Sequence, residues 1–389
     1  MPWKTMDLRE QRVRFVVAAS RNEKSMRELC WEFGISRPVG YEWLRRYQEG
    51  GVAAIAERSR RPQRTPRRTE SRIEQRVLEL RYRYPDWGAR KLRMLLQREG
   101  IELARNTVHR ILLRHNLVQP EDRHQPAVTR FERSAPNELW QMDFKGPKLW
   151  HQPVGPLSVL DDYSRYLIVL AAAGSTRIEC VKQPLIAAFS EYGVPQEMLM
   201  DHGTPWWNPQ TTGGMTQLSL WLMRQGIGLR WSGIRHPQTQ GKVERFHGEL
   251  QRALARRRVL VPDVQRWLDE FRWEHNYVRP HEALNMETPS SRWRASKRKY
   301  DPQPTRWEYP VGAWVLKVDT SGKLRVKNMH CNIGGALAGE WVQLIPIEKR
   351  IQVYYCTTLI REIDLVAQRS TMVERWIPAL NKQQSVRDV

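Results

Sequence analysis

The chain has 389 residues, 40% of them apolar, and 64 Lys+Arg against 42 Asp+Glu give a net charge of +22 and a pI near 10.2. That apolar share and length fit a folded protein of two to four domains and exclude a mainly disordered chain. The longest apolar run, Leu167 to Ala173, is far short of the ~18 residues that span a bilayer.

The amino end, MPWKTMDLRE, has no apolar signal core, so a cytoplasmic protein is expected. Cys30, Cys180, Cys331 and Cys356 stand singly, with no spacing for a disulfide framework or a zinc knuckle. The charge is unevenly placed. Residues 1–136 carry 30 basic and 17 acidic groups, 137–244 carry 9 of each, and 245–299 carry 13 against 7. A neutral middle between basic flanks suits a polyanion gripped from both sides of a central unit.

In chain order, Ser25–Glu32 reads as a short helix with Met26, Leu29, Cys30 and Phe33 on one face. Gly34 breaks it, and Ser36 starts a second helix through Tyr47, a helix-turn-helix pattern whose second helix suits a major groove. ERSRRPQRTPRR (57–68) is basic and broken by proline, a linker that also contacts phosphate. Residues 70–118 repeat the scheme: a helix over Arg72–Arg83 ended by Pro85, a second from Trp87-Gly88-Ala89-Arg90 to Gly100, and a third capped by Asn106. Residues 119–136 read as a further linker.

The middle changes character. Leu139–Phe144 alternates, with Trp140, Met142 and Phe144 on one face and Gln141 and Asp143 on the other. Leu157–Leu160 and Tyr166–Ala172 form a hairpin around Asp161-Asp162-Tyr163-Ser164-Arg165. Thr176 with Glu179 suggests a capping box for a helix ending at Gly193. A strand at Glu197–Met200, a helix at Met215–Arg224, a strand at Gly228–Trp231 and a helix from Lys242 to about Arg257 complete an α/β unit with a mixed sheet. Asp263–Tyr277 is an amphipathic helix, residues 311–366 are short alternating segments expected to form a small all-β barrel, and no element is expected from 367 on.

Three acids fall at element ends: Asp143, Asp201 and Glu244. Hard divalent cations prefer carboxylate oxygens, and three carboxylates sharing two ions suit phosphodiester chemistry. Chain order alone leaves open that they are surface or capping acids. Asp161 and Asp162 read as caps of the hairpin turn before metal ligands, His236 and His247 as surface histidines before catalytic ones, and Trp206 and Trp207 as loop packing before a platform for a frayed base.

The stretch Trp140-Gln141-Met142-Asp143, Leu160 to Arg165, Asp201-His202-Gly203 and His236 to His247 resembles the integrase core of bacterial insertion-sequence transposases, relatives of retroviral integrases. Tyr277 to Leu284 resembles the segment that follows that core, and Pro85 to Leu92 the family's second helix-turn-helix. The resemblance covers roughly residues 20–300. It implies a multidomain α/β chain. A helix-turn-helix domain (1–57), a basic linker (58–69), a second (winged-)helix-turn-helix (70–118) and a linker (119–136) would precede an RNase H-like core of five mixed strands (137–299). A β-barrel (300–366) and a tail (367–389) would follow.

The resemblance makes Asp143, Asp201 and Glu244 the catalytic and metal-holding triad, taking two Mg²⁺ that Mn²⁺ can replace. Binding of double-stranded DNA, both element-terminal inverted repeats and target, is assigned to Arg37, Arg45, Arg46, Arg60, Arg61, Arg67, Arg68, Arg90, Lys91, Arg105, Arg110, Lys242 and Arg245. The implied protein is a cytoplasmic, nucleoid-associated homo-oligomer with no membrane contact. It would cut 3′ ends and transfer them to target DNA. An inactive DNA-binding regulator and an RNase H-type nuclease are the alternatives. The 42 residues between Asp201 and Glu244 exceed the spacing usual in the family, and Pro205–Gly214 is the expected place of the insertion. No His-His-Cys-Cys module precedes the core, so no zinc is expected at the amino end.

Overall fold

The structure, a computed structural model, describes residues 7–56, 69–118, 132–144, 154–208, 214–232, 241–257, 263–304, 307–327 and 329–373. The chain divides into two units, 1–69 and 70–389.

The first unit is three helices: α1 (Leu8–Ser20), α2 (Met26–Glu32) and α3 (Arg37–Gly50). Sequence reading missed α1, because only Phe15, Val16 and Ala19 of its polar run are buried. Ser25 and Glu28 cap α2 reciprocally, the Glu28 N–H donating to Ser25 Oγ and the Ser25 N–H to the Glu28 carboxylate. Gly34, at φ +64°, makes the turn into α3. Gly40 lets α3 approach closely, since a Cβ there would lie 2.6 Å from Cys30 Sγ and 2.9 Å from the Phe15 ring.

The second unit begins with α4 (Ser71–Arg83), α5 (Ala89–Arg98) and α6 (Arg105–Arg114) around Val77, Leu80, Trp87, Leu92, Leu96, Val108, Ile111 and Leu112. Asn106 does not cap α6. The helix starts two residues earlier, with Ala104 at its N-cap, leaving Asn106 in the first turn. Among the described residues 69–118 contain no strand, so no wing is seen there.

The mixed sheet comprises β1 (Leu139–Phe144), β2 (Leu157–Asp161), β3 (Leu167–Ala171), β4 (Glu197–Met200) and β5 (Gly228–Trp231), in the order β3-β2-β1-β4-β5. The first three strands are antiparallel, while β4 runs parallel to β1 and β5 to β4. This is the five-stranded mixed sheet that the sequence implied. Helices α7 (Ile178–Tyr192) and α8 (Gln217–Arg224) cover one face, packing Phe189, Leu185 and Trp221 with Trp140, Met142 and Met198. Helices α9 (Gly241–Arg256) and α10 (Val264–Tyr277) cover the other, where Phe246, Leu250 and Phe271 meet Leu160, Leu167 and Leu170. The Thr176–Glu179 capping box does not form. The N-cap is Arg177, one residue too late, and its N–H donates to Ser175 Oγ at 3.3 Å.

Beyond the core, β6 (Val315–Lys317), β9 (Trp341–Ile347), β10 (Arg350–Tyr355), β11 (Thr358–Asp364) and β12 (Arg369–Met372) form an antiparallel sheet in the order β12-β11-β10-β9-β6. A separate hairpin joins β7 (Lys323–Val326) to β8 (Met329–Asn332). The described strand order shows this antiparallel sheet and the hairpin, with no ladder from β6 to β12 among the described residues to close the expected barrel. The region also extends past 366, because β12 lies in the expected tail. It is tied to the core where Arg224 donates to Tyr355 Oη at 2.9 Å and to Glu340 at 2.7 Å. No described helix is long and apolar enough to cross a membrane.

Candidate active site

β1 and β4 are adjacent and parallel, with Trp140 level with Met198 and Gln141 level with Leu199. Asp143 is the last but one residue of β1 and Asp201 directly follows β4, so both acids fall at the same end of this parallel pair. An aromatic pair closes the same end: Trp206 stacks on Phe144 at 5.4 Å and 11°. The Trp206 indole donates to Asp201 Oδ1 at 2.8 Å, and the Gly203 N–H to the same oxygen at 2.9 Å. Trp206 and Trp207 are therefore buried packing, not a free platform for a base. Trp207 packs so tightly on Gly214 that a Cβ there would lie 2.4 Å from its ring. The middle of the expected insertion, 209–213, lies outside the described residues.

The third acid sits in the first turn of α9, which crosses the sheet face carrying Gln141 and Asp143. Val243 and Phe246 point inward and Glu244 is exposed. His247 is buried, against its reading as a surface histidine. Its Nδ1 lies 3.7 Å from Asp143 Oδ2 and its Nε2 3.2 Å from Ser158 Oγ. The helical spacing Val243, Phe246, His247, Leu250 was the signal that would have turned it inward. Asp161 is the turn cap expected of it, accepting from Ser164 N–H and Oγ at 2.7 and 2.6 Å. Burial nevertheless pushes its carboxyl up to about 6. Asp162 is not a cap. It is fully buried and accepts from Gln141 Nε2 at 2.7 Å, from the Arg133 N–H at 2.8 Å, and pairs with Lys242 Nζ at 2.5 Å.

A second polar cluster lies under α5. Asp86 accepts from Arg257 and Arg279, and Glu249 pairs with Arg279 at 3.2 Å and with Lys91 at 4.0 Å. Glu249, His275 and His281 place one potential ligand atom each within 4.8 Å of one another. The arrangement does not suit a dication, because two held cations already face the carboxylate in a dry setting. Burial alone would raise the Glu249 carboxyl, but Arg279 and Lys91 outweigh it and hold it well below the usual range. Burial drives His275 down to about 4, so it is neutral, and its Nε2 lies 3.0 Å from the Arg165 carbonyl.

Two of the cations assigned to DNA are thus engaged within the fold. The side chains of Lys91 and Lys242 keep only 13% and 16% of their exposure and face Glu249 and Asp162. Their spacing beside motif residues looked like a phosphate grip; the carboxylates that claim them come from distant segments. Arg37, Arg45, Arg90, Arg105, Arg110 and Arg245 are exposed, Arg90 lying 3.4 Å from Glu282. Arg46 is half-buried, pairs with Glu42 at 2.5 Å and lies over the Trp43 ring at 4.7 Å. Arg60, Arg61, Arg67, Arg68 and His236 lie outside the described residues.

Comparison with known proteins matches 133–237 and 225–289 to the integrase core domain, 11–63 to a helix-turn-helix domain and 39–112 to a homeodomain-like domain. An uncharacterized 31.7 kDa protein of insertion element IS407 from Burkholderia multivorans is 25% identical over 224 residues, 55% of this chain and 78% of that protein. The uncharacterized protein K02A2.6 of Caenorhabditis elegans is 25% identical over 156 residues, 40% of this chain but 11% of its own length. Among solved structures, the HTLV-2 integrase catalytic core in complex with magnesium is 16% identical with a TM-score of 0.33, covering 41% of this chain and 97% of its own. A simian T-cell lymphotropic virus intasome in complex with a PP2A regulatory subunit gives 14% and 0.37, covering 78% and 99%. These matches place an integrase core domain and helix-turn-helix regions in the chain where the resemblance implied them.

Proposed function

We propose that this helix-turn-helix and integrase-core protein is a transposase that binds the ends of its element, cuts their 3′ strands and joins them to target DNA. The observation that carries the reading is the convergence of Asp143, Asp201 and the first turn of α9 at one end of the mixed sheet. The donor set fits hard divalent ions, since all three side chains offer carboxylate oxygens. Trp206 and Gly203 hold one oxygen of Asp201, which orients the other.

Asp143, Asp201 and Glu244 would hold Mg²⁺, two ions in the full site, with Mn²⁺ as a substitute. Bound there, such ions activate an attacking oxygen and stabilise the leaving oxygen of a phosphodiester. The protein's own part is positioning and charge compensation. Arg37, Arg45, Arg105, Arg110 and Arg245 hold phosphates and the groove-facing helices α3 and α6 select the end sequence. End pairing by a homo-oligomer on DNA is part of the same reading.

The test is a gel assay on the genomic inverted repeats that flank the gene. Wild type should free a 3′-OH and join it in Mg²⁺. Asp143→Asn, Asp201→Asn and Glu244→Gln should each abolish both steps while leaving end binding within a few-fold, because each removes one anionic ligand and little shape. Near-normal joining by any one of them would refute the triad.

A further inference from the structure

Three residues that accompany the acids in the sequence motifs have no part in holding metal, yet they meet one another. Gln141 lies two positions before Asp143 on β1, hence on the same sheet face. Its Oε1 accepts the Val243 N–H at 3.3 Å, one of the first N–H groups of α9 that no helical carbonyl can reach. Its Nε2 donates to Asp162 Oδ1 at 2.7 Å. Asp162, with no exposure, takes Lys242 Nζ at 2.5 Å and the Arg133 N–H at 2.8 Å. Lys242 and Val243 directly precede Glu244. The strand of Asp143 is thus joined to the turn of Glu244 twice, directly from Gln141 to the Val243 N–H and through Asp162 to Lys242.

We infer that Gln141, Asp162 and Lys242 form a brace that fixes the first turn of α9, and with it Glu244, against the strand that carries Asp143. All three are positioning residues, and the inference rests on the metal-dependent reading above. Glu244 itself is exposed, so among the described residues its place relative to the other two acids is set by the backbone of its turn. That turn is held at Lys242 and Val243. The competing use of Lys242, a grip on DNA phosphate, would leave the Asp162 carboxylate buried without its cation, which is costly.

The test uses the full chain and four variants: Gln141→Met, Asp162→Asn, Lys242→Met and the double Asp162→Asn/Lys242→Met. The double variant removes both buried charges together, so it should recover the wild-type thermal midpoint that either charge variant alone lowers. Metal affinity is read as Mn²⁺ binding by electron paramagnetic resonance without DNA. The metal concentration for half-maximal cleavage is read separately, with the salt slope of DNA binding as a control.

Loss of a residue that orients metal ligands typically weakens affinity 10- to 100-fold. All four variants should therefore bind Mn²⁺ at least about tenfold more weakly, with cleavage at saturating Mn²⁺ within a few-fold of wild type and an unchanged salt slope. Folded variants whose Mn²⁺ binding stays within about twofold of wild type would overturn the brace. A Lys242→Met protein with normal Mn²⁺ binding and a salt slope shallower by about one phosphate would overturn it in favour of a DNA contact. Wild-type protein that binds no Mn²⁺ would sink the metal-dependent reading itself, and the brace with it.

Discussion

Replacing Asp86 by Asn should loosen the α4–α6 helices from the rest of the second unit without unfolding the sheet. Asp86 is in the Pro85 to Leu92 motif, and its side chain is 1% exposed. It accepts from Arg257 Nε and Nη2 at 2.9 and 2.7 Å and from Arg279 Nη1 at 3.0 Å. Breaking a buried pair by removing one partner costs about 3–5 kcal/mol. The low end applies, since Arg257 keeps Glu274 at 2.7 Å and Arg279 keeps Glu249 at 3.2 Å.

About 3 kcal/mol corresponds to a little over a hundredfold in a local opening equilibrium. Native-state hydrogen exchange reads this directly. Amides of α4, α5 and α6 should exchange about a hundredfold faster, while those of α7, on the far sheet face, keep their protection. Unchanged exchange in α4–α6, or an equal loss in α7, would refute the reasoning. The same carboxyl gives a pH dependence. Burial raises it, but Arg257 and Arg279 together hold it below its ordinary value, so its contribution is complete above that value and is lost as pH falls through the depressed one.

His275 acts over a higher window. Its neutral form is favoured down to about 4 against an ordinary 6.5, so stability is full above 6.5 and falls by about 3 kcal/mol on acidification toward 4. Denaturation midpoints across that range should show the slope, and His275→Gln should flatten it; an unaltered slope would refute the assignment. Trp206→Phe keeps the stack on Phe144 but removes the bond to Asp201, so Mn²⁺ binding should weaken by about tenfold. Equal Mn²⁺ affinity in a folded Trp206→Phe protein would mean that the indole does not orient the carboxylate. Changing Arg60, Arg61, Arg67 and Arg68 together should flatten the salt dependence of DNA binding and weaken all sequences alike. A loss confined to one sequence would mean that the linker reads bases.

The sequence determined those features that repeat along the chain or sit at element ends. Alternation placed Trp140, Met142 and Asp143 on opposite faces of β1, and short apolar runs marked β2 to β5 within a residue or two. Motif spacing brought out the three acids. Local rules failed where a competing local choice existed: Thr176 and Asn106 have capping side chains, yet α7 and α6 start beside them. The closure of a barrel and the end of the β region also depend on pairings that no strand carries by itself.

Tertiary structure alone decided which charges meet. Lys242 and Asp162 are 80 positions apart, and Lys91 and Glu249 nearly twice that. Composition makes each lysine look like a DNA contact, whereas burial beside a carboxylate makes it part of the fold. The same holds for His247: helical periodicity turns it inward, but only the packing of α9 on β1 and β2 puts its ring beside Asp143 and Ser158. The physical reason is one of range. Propensity, alternation and capping act within about ten residues and are written locally. The free energy of a charged side chain depends on what surrounds it in space, and that is set only when distant segments pack.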